Sequence, residues 1–159
     1  MSSSIRYGNT SGTGKGREYR VAADQYFGRK GGKFVYLSSG YVTTVASNTT
    51  QIMGWAETPK DADGYNAWKS SATAGADNVF VIECGDNVFE MPVNELSASL
   101  TATYIGAACG IVPAGSTYTT VQKAKIGEST ASPLTIVDID KDKKTVFVKV
   151  KPAFVQYHT

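Results

Sequence analysis

A single histidine, His158, stands among 159 residues. It is second from the last position, where chains fray. Ser-His-Asp and Cys-His catalysis both need a positioned imidazole, so neither is expected. Two cysteines, Cys84 and Cys109, lie far apart with no CxxC spacing. With one histidine they do not make a tetrahedral zinc set, and no metal site is expected. A small secreted disulfide scaffold would carry more cysteine. The pair reads as two reduced, part-buried thiols, with a single bridge left open should they face each other across paired strands. No run approaches the ~20 apolar residues of a membrane helix, so no membrane partner is expected. The start, Met1-Ser2-Ser3-Ser4-Ile5-Arg6, lacks the apolar core of a signal peptide. Synthesis in a cytoplasm is therefore expected, and the sequon Asn48-Thr49-Thr50 reads as a polar turn.

Charge is also scarce. Charged residues make up 19% of the chain, below the usual quarter, and the net charge is +2. Nucleic-acid binders show a larger basic excess clustered on one face, so no nucleic-acid partner is expected. Hydrophobic residues make up 42%, enough for one domain with a sizeable core. The charge is uneven. Residues 1–33 hold seven basic side chains (Arg6, Lys15, Arg17, Arg20, Arg29, Lys30, Lys33) against two acids (Glu18, Asp24), a net of +5 that leaves about −3 for the remainder.

That first segment carries seven glycines and few apolar residues. Ordering backbone costs roughly 1–2 kcal/mol per residue, and so little apolar surface does not offset it. Residues 1–33 are therefore expected to be an extended, basic, Gly-rich arm, ordered only on another surface. Residues 34–159 are expected to be a compact β domain.

Phe34-Val35-Tyr36-Leu37 and Tyr41-Val42-Thr43-Thr44-Val45 predict a hairpin around Ser38-Ser39-Gly40. Gln51 to Ala56 predicts a short strand with Gly54 as a candidate bulge. Residues 58–72 form the one helix candidate, with Thr58 as N-cap and Pro59 in the first turn. Val79 to Cys84 is apolar on both faces, and Val88 to Met91 follows after a turn. Asn94-Glu95-Leu96 suggests a helical turn, Thr101 to Gly106 a strand, and Tyr118 to Ile126 another. The clearest hairpin runs Leu134 to Ile139, turns at Asp140 to Lys144, and returns through Thr145 to Val150. Val146, Val148 and Val150 share one of its faces, and Pro152 stops it. With no βαβ alternation, the fold class is all-β: a barrel or sandwich with at most one short helix.

Motifs that carry chemistry fail on inspection. Gly8 to Gly16 resembles a phosphate loop, but Asn9 stands where the first glycine belongs and Gly16 where the hydroxyl belongs. Asp138-Ile139-Asp140-Lys141-Asp142 imitates the start of a calcium loop. Lys143 and Lys149 occupy the positions that need glycine and glutamate, so a solvated turn is expected. Asp61, Asp63, Glu83, Asp86, Glu90 and Glu95 form the pool from which a carboxylate pair for glycoside hydrolysis would come. Most of them sit beside turn residues. No enzyme activity and no cofactor are expected.

The cadence of a basic Gly-rich arm, the Phe34 to Trp55 stretch with Ser38-Ser39-Gly40-Tyr41 and Ile52-Met53-Gly54-Trp55-Ala56, and the closing hairpin Ile136 to Val150 resembles bacteriophage capsid decoration (cement) proteins. The resemblance implies a homotrimer on the outer surface of an icosahedral head, clamping major capsid subunits, made in the host cytoplasm and resident in the virion. Arg6, Tyr7, Arg17, Tyr19 and Arg20 are then the candidate capsid-binding residues of the arm. Three readings compete with it. One is a carbohydrate- or receptor-binding module stacking sugars on Trp55, Trp68 and tyrosines. The others are a tail-tube or other virion β protein that polymerises into rings, and a small carboxylate hydrolase.

Overall fold

The computed structural model describes residues 8–12, 15–27, 32–45, 51–58, 68–84, 87–93, 101–112, 122–126 and 132–156. Its strands are β1 (Gly8–Ser11), β2 (Gly16–Arg20), β3 (Tyr26–Phe27), β4 (Lys33–Ser38), β5 (Tyr41–Thr44), β6 (Gly54–Ala56) and β7 (Trp68–Lys69). They continue as β8 (Asn78–Glu83), β9 (Val88–Pro92), β10 (Ala108–Val112), β11 (Lys123–Ile126), β12 (Leu134–Asp140) and β13 (Thr145–Val150). The fold is all-β, with two short 3-10 turns at Ala102–Tyr104 and Pro152–Phe154.

Six strands form one sheet in the order β1-β9-β13-β12-β10-β11, and five form a second in the order β2-β8-β6-β4-β5. A two-stranded ribbon pairs β3 with β7. Every ladder is antiparallel. A parallel bridge crosses each large sheet: Val21, just past β2, meets Val42 of β5, and Val93, just past β9, meets Ala124 of β11. Neither closes into a barrel.

The period-2 alternation of side chains divides the burial between two cores. Phe34, Trp55 and Ile82 of the five-stranded sheet pack with Phe89, Met91, Cys109, Leu134, Ile136, Val146 and Val148 of the six-stranded sheet. Val35, Ala56, Val79 and Val81, their sequence neighbours, face the other way and pack with Val21, Phe27, Val42 and Met53. Trp68 of the ribbon lies against that second core, its ring 5.8 Å from Phe27. In the two-sided apolar run Val79 to Cys84, Val79 and Val81 lie in the second core and Ile82 and Cys84 in the first, while Phe80 is exposed. At the centre of the first core, Phe34 meets Trp55 edge-on at 4.9 Å and Phe89 at 5.3 Å, tying β4 and β6 to β9.

Both predicted hairpins form. Ser39 and Gly40 have φ of 53° and 87° between the paired Ser38 and Tyr41. Two consecutive positive φ values match the twist of flanking strands. Asp140 Oδ1 accepts the amides of Asp142 at 3.1 Å and Lys143 at 3.0 Å, so the acidic run builds a hairpin turn. Gly54 is not a bulge: its register continues unbroken to Val35 and Glu83. A Cβ there would stand 2.1 Å from the Ile82 carbonyl oxygen, so glycine is required by backbone approach.

Three expectations change. Trp68–Lys69, the end of the helix candidate, is strand β7, because pairing with β3 sets Trp68 against Phe27. Residues 59–67 and the Asn94 to Leu96 turn lie outside the described residues. Thr101 to Gly106 is a 3-10 turn rather than a strand: Ile105 is 44% exposed and Gly106 has φ of 92°, and pairing starts only at Ala108. The described part of residues 1–33 is not a separate arm. β1 pairs with β9, β2 pairs with β8, and Val21 and Phe27 are fully buried. The strands of the domain therefore begin well before Phe34.

Candidate functional site

The predicted binding residues converge on one strand. Arg6 and Tyr7 lie outside the described residues. Arg17, Tyr19 and Arg20 lie on β2, an outer strand of the five-stranded sheet. Register places Arg17 opposite Val81, Glu18 opposite Phe80 and Tyr19 opposite Val79. Val79 and Val81 face the second core, so Tyr19 shares their face and packs against it, half-buried. Arg17 Nε donates to the Tyr19 hydroxyl at 2.8 Å, with its guanidinium 5.1 Å from the ring centroid. The hydrogen bond raises the Arg17 pKa above its ordinary value, and the side chain is exposed. Arg20 is also exposed, as is Glu18, and Phe80 beside Glu18 is 39% exposed. Exposed cations thus stand on a paired strand rather than on a loose tail: Arg17 shares one face with Tyr19, and Arg20 shares the other with Glu18. The sequence signal was present in the period-2 pattern Tyr19, Val21, which marks a strand face, but the surrounding glycines hid it.

The carboxylate pool does not gather into a described pair. Asp61, Asp63, Asp86 and Glu95 lie outside the described residues. Glu83 lies on β8 and Glu90 on β9, in different sheets. Glu90 is buried and accepts a 2.6 Å hydrogen bond from the Thr145 hydroxyl, a structural role. Among the described residues no cluster of His, Cys, Asp and Glu is placed to hold a metal ion. Cys84 and Cys109 are both buried as thiols, donating to the Ile52 carbonyl at 3.4 Å and the Gly110 carbonyl at 3.3 Å.

Trp55 is 1% exposed in the first core and offers no open stacking face, while Trp68 is half-buried against Phe27.

Lys33 is a residue that composition concealed. Counted with the basic segment, it is 2% exposed at the start of β4, opposite Ala56. Burial lowers its pKa from 10.5 to about 8. No described acid lies within ion-pair distance of it. No protein-family model, curated protein or solved structure matches this chain.

Proposed function

We propose that the protein is a structural virion component that binds the outer surface of an icosahedral phage head and stabilises contacts between major capsid subunits. The observation that carries this reading is the exposed cationic strand β2, where Arg17 is braced on Tyr19 and Arg20 is exposed on the other face. Such a surface suits acidic side chains on a protein neighbour, since guanidinium groups pair carboxylates with fixed geometry. A rigid strand presents them without the ordering cost a loose arm would incur. Assembly as a homotrimer multiplies a modest contact per copy, since linked sites raise affinity without new contacts. The burial of Trp55 weighs against the sugar-stacking alternative.

The test is cosedimentation of the purified protein with DNA-filled phage heads that lack it. Saturable binding in multiples of three is expected, with the free protein at three times 16.9 kDa by light scattering. Arg17→Ala with Arg20→Ala should lower head binding about tenfold or more while leaving the fold intact, the size of one lost charged hydrogen-bond pair. Saturable binding to sugar surfaces in place of heads would sink the reading.

A further inference from the structure

The outer side of β2 holds more than charge. Val21 N–H donates to the Asp77 carbonyl and Glu83 N–H to the Lys15 carbonyl, both at 2.9 Å. An antiparallel ladder alternates its bonds by two residues. Lys15, Arg17, Tyr19 and Val21 therefore turn their backbone groups toward β8, and Gly16, Glu18 and Arg20 turn theirs outward. Near Arg20 the edge is closed by β5, where Ala22 N–H donates to the Val42 carbonyl at 2.9 Å beside the Val21–Val42 bridge. Over Gly16 to Glu18, no described residue meets the outward groups.

The other outer strands of the two large sheets are guarded at described positions. Thr44 N–H of β5 donates to Gln25 Oε1 at 2.9 Å. Past the end of β6, Leu37 of β4 exchanges hydrogen bonds with the Gln156 amide at 2.7 and 3.1 Å. Ala124 of β11 is bridged by Val93 and flanked by exposed Lys123 and Lys125. The β1 ladder is irregular between Asn9 and Ser11. Bulges, lysines and covering groups are the means by which sheets avoid unwanted pairing. The β2 ladder is regular throughout and has no such cover between Gly16 and Glu18 among the described residues.

We infer that the β2 edge accepts an extended acidic segment of a partner protein as an added strand. Charge selects the occupant. Lys15, Arg17 and Arg20 stand against Glu18 alone within six residues. Opposite side chains on paired strands interact directly. The incoming segment lies beside Gly16 to Glu18, short of β5, with acids opposite Lys15 and Arg17 and a hydroxyl or a base opposite Glu18. Backbone hydrogen bonds to Gly16 and Glu18 supply affinity, and these alternating side chains supply specificity. The inference rests on the preceding reading in taking β2 as the contact element, but its test uses no phage heads, so the two fail separately.

The probe is a short blocked peptide, Thr-Glu-Val-Glu-Thr, with a control in which both acids are lysine. Amide hydrogen exchange of the full-length protein is followed by NMR at saturating peptide. The Gly16 and Glu18 amides should slow about tenfold or more, while Arg17 and Tyr19, already bonded inward, change little. Glu18→Pro removes an outward N–H without touching the β8 ladder and should abolish the response, whereas Glu18→Thr should keep it. Lys15→Glu with Arg17→Glu leaves the backbone edge whole and should reverse the preference to the lysine peptide. Unchanged exchange at Gly16 and Glu18, an equal response to both peptides, or undiminished protection in the charge-reversed variant would overturn the inference. Peptide binding without head binding would remove only the capsid reading.

Discussion

Replacing Lys33 with methionine should stabilise the protein at neutral pH, and the gain should vanish in alkali. The side chain is 2% exposed, and burial holds its pKa at about 8 against 10.5 in the unfolded chain. Each tenfold change in proton affinity corresponds to about 1.4 kcal/mol, so the charged amine costs the fold at most about 3–4 kcal/mol. Screening by water reaching the amine reduces this to about 1–3 kcal/mol. Below pH 8 both folded and unfolded chains carry the charge, and the penalty is present in full. Between pH 8 and 10.5 the folded chain releases the proton while the unfolded chain keeps it, so stability rises with pH. Above 10.5 both are neutral and the penalty is gone. Met keeps the apolar stem and removes the amine, at a packing cost below about 1.5 kcal/mol. Urea unfolding of wild type and Lys33→Met at pH 7, 8, 9 and 10 measures the difference directly. The variant should be more stable at pH 7 by about 1–3 kcal/mol, converging with wild type as pH approaches 10.5. A difference that does not change with pH, or a variant weaker at pH 7, would refute the reasoning.

The interior makes three further predictions, each read by urea denaturation. Gln122 is 1% exposed; its Oε1 accepts the Phe34 amide at 2.7 Å, and its Nε2 donates to the Phe34 and Val45 carbonyls at 3.2 and 3.1 Å. Gln122→Ala leaves a buried Phe34 N–H without this acceptor and should cost about 2–4 kcal/mol; a loss below about 0.5 would show that water replaces the amide. Phe89→Ala opens a cavity beneath Phe34 and Trp55 and should cost about 3–5 kcal/mol, with a loss of near-UV circular dichroism from the indole. Gly54→Ala drives a methyl to 2.1 Å from the Ile82 carbonyl oxygen and should cost about 3 kcal/mol or more, since β6 and β8 must separate; a mild effect would mean that the sheet relaxes.

Sequence alone determined the local facts. β-Branched and aromatic runs around turn residues marked the two clear hairpins, and alternation marked the shared face of Val146, Val148 and Val150. The Val79 to Cys84 run showed a strand with buried side chains on both faces, and Asp140 marked a turn through the hydrogen bonds its carboxylate offers the backbone. Tertiary structure decided what local composition could not. Trp68 became a strand residue because Phe27, distant in sequence, offered it a partner. Thr101 to Gly106 had strand-forming residues, but among the described residues only Gly106 reaches a strand, donating to the Ile136 carbonyl, and the segment before it turned instead. The Gly-rich start was folded in because β8 and β9 lent it ladders and the second core took Val21 and Phe27, surface that no count over residues 1–33 contains. Burial of Lys33 and the exposure of the β2 edge have the same origin. Both depend on which strands lie beside them, and strand order is set by long-range packing rather than by any residue's own preference.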